Sequence, residues 1–213
     1  MIVTLDSFEI RECEQFAKLS AFSQQGIEFG QHDTKDRGIA ETARDTMIGK
    51  MAEVAVAKLL KEKGLHCPVD FGIYRRGEWD DSDIKIFRWD VDIKSTVNGR
   101  WLLIERNKLL MRQNQQYNLL PDALISCNTE WDNGPTGRVK VNGIISLPCF
   151  LSKATQIRKG EPIPGTNAKL QADNYGVKAD TLENNWDTIL ATLYEWQPKP
   201  KDEIQLRWDH AVD

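Results

Sequence analysis

The chain has 213 residues, 40% of them hydrophobic and 28% charged, with seven Trp, seven Phe and four Tyr. That length and apolar content suit one domain with a sizeable core and exclude disorder throughout. A net charge of −4 argues against a nucleic-acid coat protein, and no apolar run approaches the roughly 18–20 residues of a membrane span.

Asp6 or Ser7 is expected to cap a first helix running to about Ser20, with Phe8, Phe16 and Leu19 among its apolar residues. The polar stretch from Gly26 to Gly38 reads as a loop. A long helix over Thr42 to Lys63 follows, with Ile48, Met51, Ala52, Ala55 and Leu59 at 3.6-residue spacing and Gly64 as its stop. Beyond it Val69 to Tyr74 reads as a strand, and Arg75 to Ser82 as a polar turn. Two alternating, β-branched segments come next, Asp83–Phe87 and Asp90–Thr96, and Trp101 to Ile104 extends the sheet. Asn107 to Asn118 is helical in composition and ends before Pro121. Ala123 to Cys127 is a buried strand, 128–138 a loop, and Val139 to Leu151 a further strand region. Residues 152–179, with three Gly and two Pro, read as irregular, and a last helix covers Leu182 to Trp196. The fold class is therefore α/β (α+β): a single domain over 1–213, with a core at 42–128 and a C-terminal elaboration at 129–213.

The opening Met1-Ile2-Val3-Thr4-Leu5-Asp6 has no basic leader, so the expected location is cytoplasmic. Cys13, Cys67, Cys127 and Cys149 are too scattered for a zinc or redox motif and read as buried thiols. His32, His66 and His210 form no helical metal pair. Chemistry, if present, rests on carboxylates and lysines. No phosphate-cradling glycine loop occurs, so no nucleotide cofactor is expected.

Charge is uneven along the chain. From Arg138 to Lys169 there are six bases, including Lys153, Arg158 and Lys159, against Glu161 alone. Arg100 to Asn118 carries Arg100, Arg106, Lys108 and Arg112 against Glu105, whereas 180–213 is acidic. A polyanion would be held on the middle of the chain.

If Asp83–Phe87 and Asp90–Lys94 form a hairpin turning at Arg88-Trp89, residue 83 opposes 94 and 85 opposes 92. Asp83, Asp92 and Lys94 then share one face. Two neighbouring carboxylates repel, and a divalent metal held by oxygen ligands resolves the conflict. Such an ion would acidify a bound water and stabilise charge on a phosphoryl group, with the lysine orienting the water.

In these residues the chain resembles the PD-(D/E)XK nuclease superfamily. The matches are Asp83 on one strand, Asp92-Ile93-Lys94 on the next, and Glu53 on the preceding helix. Gly49 and Ala57 lie four residues to either side of Glu53, so that helix face is expected to approach the strands closely. The resemblance spans roughly 42–128 and implies a restriction-endonuclease-like αβββαβ core with a mixed central sheet flanked by helices. Gln113 and Tyr117 look like the Gln-x-x-x-Tyr element of some members and would touch substrate. The resemblance implies a metal-dependent DNA endonuclease in which Asp83, Asp92 and Glu53 bind Mg²⁺ or Mn²⁺ and Lys94 positions the water. Arg106, Lys108, Arg112, Lys153, Arg158 and Lys159 would grip DNA, and a homodimer follows by analogy. A competing assignment takes Asp70 with Asp83-Ile84-Lys85, and Asp80 and Asp81 rival Asp83 as first acid. The other functional readings are an RNA-directed nuclease and a non-catalytic nucleic-acid-binding or protein-interaction module.

Overall fold

Asp6 does open the first long helix. Its Oδ1 accepts from the N–H groups of Phe8 (2.8 Å) and Glu9 (2.9 Å), and Glu9 Oε2 accepts from the Asp6 N–H at 2.7 Å. This reciprocal capping box satisfies donors that the first helical turn leaves unpaired. The computed structural model describes residues 1–23, 38–74, 82–97, 99–114 and 119–206. In chain order the elements are β1 (Ile2–Thr4), α1 (Ser7–Ser23), α2 (Ile39–Glu62), β2 (Ile84–Ile86), β3 (Trp89–Thr96), β4 (Trp101–Glu105) and α3 (Arg106–Gln113). There follow β5 (Ala123–Trp131), β6 (Pro135–Ser146), α4 (Leu147–Lys153), β7 (Thr155–Ile157), β8 (Asn174–Lys178) and α5 (Trp186–Glu195).

The apolar spacing read in 42–63 becomes the buried face of α2. Met51, Ala52, Ala55, Val56, Leu59 and Leu60 are all inaccessible to solvent. Burying one such leucine contributes roughly 1.5–3 kcal/mol, which outweighs the helix's weak intrinsic preferences. Gly64, at φ +83°, closes the helix, and the Leu65 N–H returns to the Leu60 carbonyl at 2.9 Å.

The main sheet is mixed, with strand order β1-β6-β5-β3-β2, and only the β3/β5 pair is parallel. The parallel pair needs a crossover, which β4 and α3 supply. One face of the sheet packs on α1, α2 and α5 through Val91, Ile93, Ile125, Val139, Met51, Leu59 and Trp186. The other packs on a second sheet, β4-β8-β7, and on α3 and α4 through Leu124, Ile145, Leu102, Leu109, Phe150 and Tyr175. Among the described residues no helix is long and apolar enough to cross a membrane.

Several expectations change. The hairpin turns at Phe87-Arg88, not Arg88-Trp89, and pairs Ile84 with Val91, Lys85 with Asp90 and Ile86 with Trp89. The register therefore slips by two residues, which keeps every side chain on its expected face while changing its partner. Two features set it: Phe87 takes φ +54°, and the Trp89 indole is buried, donating to the Leu193 carbonyl at 3.0 Å. Residues 69–74 form no strand. Asp70 instead folds on itself, accepting from the Gly72 N–H at 2.7 Å and from the Tyr74 hydroxyl.

Trp101–Ile104 does not extend the main sheet, because β4 pairs with β8. The chain leaves the first sheet at Gly99, where a Cβ would collide with Thr96 Oγ1. Most of the expected 128–138 loop is strand, since β5 runs to Trp131 and β6 starts at Pro135, and residues 147–153 are helical. The stretch 152–179 is less irregular than its composition, since β7 and β8 lie in it. Strand β6 from the C-terminal elaboration is an interior strand of the main sheet. Cys149 is exposed, whereas Cys13, Cys67 and Cys127 are buried.

Candidate functional site

The site stands on the face of β3 opposite α2. Val91 and Ile93 point into the first core, so alternation sends Asp90, Asp92 and Lys94 to the other side. Carried one pair beyond Ile84/Val91, the register sets Asp83 across from Asp92. Strand β2 begins only after Asp83, and there its carboxylate takes over the ladder: Asp83 Oδ2 accepts from the Ile93 N–H at 2.6 Å. A side chain thus satisfies a donor that the neighbouring strand no longer reaches.

Asp92 is 2% exposed. Its Oδ2 accepts from Lys94 Nζ at 2.6 Å and from an Arg112 Nη at 3.2 Å. Its Oδ1 is buried and has no hydrogen-bond partner. Burial alone would raise the Asp92 pKa, but the Lys94 and Arg112 cations outweigh it and hold this carboxyl below the usual range. Asp83 is pushed the other way, by burial first and then by the negative charge of Asp92 and of Glu53. The two carboxyls lie close enough to share a proton, and Asp83 is the one that keeps it.

Glu53 reaches the neighbourhood from α2 and is held there. Its Oε2 accepts from Lys50 Nζ at 2.5 Å, and the same ammonium donates to the Asp70 carbonyl at 2.8 Å. Lys50 is buried and lies 4.3 Å over the Phe16 ring and 5.6 Å from that of Phe71. A cation in such a box is compensated by the carboxylate and by the ring faces. Gly49 does not mark a close approach, since a Cβ there would meet nothing within 4 Å.

Arg112 is the residue whose placement the sequence did not reveal. Its charge grouped it with the phosphate-gripping bases, yet it lies on Asp92, from the last turn of α3. Gln113 donates through Nε2 to the Ile204 carbonyl at 2.7 Å, tying α3 to the C-terminal segment. Tyr117, Asp80 and Asp81 lie outside the described residues. Lys108 stands 3.9 Å from Glu105. Lys153, Arg158 and Lys159 are exposed on α4 and just past β7, beside the second sheet. Lys85 of the competing triplet pairs with Asp90 at 3.1 Å. Burial pushes the Cys13 thiol up to about 12, which makes it a poor nucleophile near neutral pH.

The chemistry of the Asp83/Asp92 pair suits a hard divalent cation: oxygen donors only, one of them buried and orphaned. Among the described residues no group of three or more His, Cys, Asp or Glu stands at metal-holding spacing. Two carboxylates are compatible with Mg²⁺, which commonly keeps several waters. Comparison with protein-family models, curated proteins and solved structures gives no match to this chain.

Proposed function

We propose that the chain is a cytoplasmic, Mg²⁺- or Mn²⁺-dependent endonuclease hydrolysing DNA phosphodiester bonds on a restriction-endonuclease-like core. The observation that carries this reading is the pair of buried carboxyls, Asp83 and Asp92, set close enough to share one proton, with Lys94 2.6 Å from Asp92 Oδ2. A divalent cation in place of that proton would let both carboxyls ionise without repelling each other. The order α2, β2, β3, α3, β5, with β3 and β5 parallel, also supports the reading, β4 being an insertion that pairs elsewhere.

When bound, the ion would supply positive charge to polarise the phosphate and acidify water. Asp83 and Asp92 are its ligands, with Glu53 in support. Lys94 orients the attacking water and offsets charge on the phosphate. Arg106, Lys108, Lys153, Arg158 and Lys159 hold backbone phosphates, and Gln113 and Tyr117 flank the substrate strand. The active form is a homodimer.

The test is incubation of purified protein with plasmid, linear duplex, single-stranded DNA and RNA, in Mg²⁺, in Mn²⁺ and in EDTA. Nicking of plasmid in metal and none in EDTA is the expected result. No cleavage of any substrate in either metal would overturn it, and preference for RNA would reassign the substrate. One observation favours a non-catalytic nucleic-acid-binding or protein-interaction module: Asp92 Oδ2 already carries two cations. Metal-independent DNA binding without cleavage would be its mark.

A further inference from the structure

We infer that Arg112 is the resident counter-cation of this site, held on Asp92 in the absence of metal and transferred to the scissile phosphate when a divalent ion binds. The inference rests on the metal-nuclease reading and adds a residue to it.

Charge sets the problem. The site face brings together two carboxyls, Asp83 and Asp92, and two cations, Lys94 and Arg112. With both acids ionised that set is neutral, and a divalent ion on them would leave two surplus positive charges in a largely buried place. Like charges so placed repel strongly, so one resident cation has to withdraw or meet an anion. The two cations are not held alike. Lys94 sits on the same strand as Asp92, two residues on, at 2.6 Å. Arg112 comes from a different element, makes a single 3.2 Å contact with Asp92, and has a side chain 27% exposed. It is the more weakly held of the two by distance and by element, although the Lys94 side chain is the more exposed, 36% against 27%.

A phosphodiester brings the negative charge that a displaced guanidinium lacks. Guanidinium matches phosphate geometry with paired N–H donors, which an ammonium does not. Arg112 would thus weaken metal binding to the protein alone and strengthen substrate binding once metal is present. The two effects have opposite signs, and a merely structural arginine would not produce both.

The experiment uses the full chain. Mn²⁺ binding is measured by titration calorimetry without DNA for wild type, Arg112→Gln and Arg112→Lys, and duplex binding is then measured in Ca²⁺. The expected result is Mn²⁺ binding about tenfold tighter in R112Q, from loss of one neighbouring positive charge, and unchanged in R112K. Duplex binding in Ca²⁺ should weaken about tenfold in R112Q. Arg112→Ala serves if R112Q proves unstable. Equal or weaker Mn²⁺ binding in R112Q, tightening in R112K as well, or unaltered duplex affinity would each overturn the role of Arg112. Asp92→Asn separates the two levels: undiminished Mn²⁺ binding in D92N moves the metal elsewhere and overturns the nuclease reading too. Loss of Mn²⁺ in D92N with no tightening in R112Q overturns only the exchange.

Discussion

Strand β3 carries two acid–base clusters on one face, two residues apart, and they behave in opposite ways. Around Asp90 everything is matched. Its carboxylate accepts from Lys201 at 2.8 Å and pairs with Lys85 at 3.1 Å, and its backbone is clamped by Asp122, whose Oδ2 accepts from the Asp90 N–H at 2.7 Å. Burial pulls the Asp90 pKa upward, but the two lysines more than offset it, and it settles below the ordinary value. Around Asp92 there are also two cations, yet a second carboxyl faces it and one oxygen has no donor. Each cluster has a second carboxyl, Asp122 beside Asp90 and Asp83 beside Asp92. The difference is that each Asp90 oxygen has its own lysine, whereas both cations on Asp92 crowd onto Oδ2. Acids matched oxygen by oxygen make a tether; a pair of carboxyls left to share a proton makes a place that gains from a divalent ion.

The comparison breaks first at activity. Lys94→Ala should lower plasmid cleavage in Mg²⁺ by roughly 10²–10³, the usual cost of losing one transition-state donor, while Lys85→Ala stays near wild type. The reverse result would move the chemistry to Asp83-Ile84-Lys85. Next comes metal linkage: Mg²⁺ at a hundredfold excess over its dissociation constant should stabilise wild type by about 2.7 kcal/mol. Thermal melts of Asp92→Asn should show no such gain, and those of Asp90→Asn should.

The third effect is smaller and depends on pH. Asp83 has a raised pKa in the folded chain, so its favourable contribution is complete below the unfolded value, near 3.8, and is lost as pH rises through the folded value. Asp83→Asn should therefore be neutral in acid and stabilise the metal-free protein near neutrality, where the wild type must either hold a proton on Asp83 or ionise it against Asp92. Urea melts in EDTA at low and neutral pH check the sign. A penalty at neutral pH would mean the carboxyls are not in conflict. The smallest effect belongs to the matched cluster. Lys201→Ala should cost about 0.5–1 kcal/mol, as partly exposed pairs do, and leave cleavage unaltered.

Legibility in the sequence followed the range of the interaction. Helix α2 and strand β3 were readable because their buried faces repeat every 3.6 and every 2 residues, a pattern local to each segment. The Asp83/Asp92 pairing was readable too, because parity alone puts both on one face. Their direct opposition was not, since it depends on a turn at Phe87, a bulky residue in a conformation that usually favours glycine. The Arg112 contact joins α3 to β3 across a crossover, and no spacing in the chain encodes it. The second sheet was hidden for the same reason: β4 and β8 pair across 69 residues at Glu105–Asn174 and 77 at Trp101–Lys178.

The outermost strand of the main sheet sets a timetable. β1 pairs with Arg138, Val139 and Lys140 of β6, so its partners are synthesised 134 to 138 residues after it. At typical synthesis rates that interval is on the order of ten to thirty seconds. Through it Val3 and Leu5, buried in the finished core, have no sheet to join, while the β2–β3 hairpin and its pair of acids can already form. A nascent chain stalled between residues 100 and 135 would carry the acids with its first strand undocked, and that window is where chaperone dependence and aggregation should concentrate.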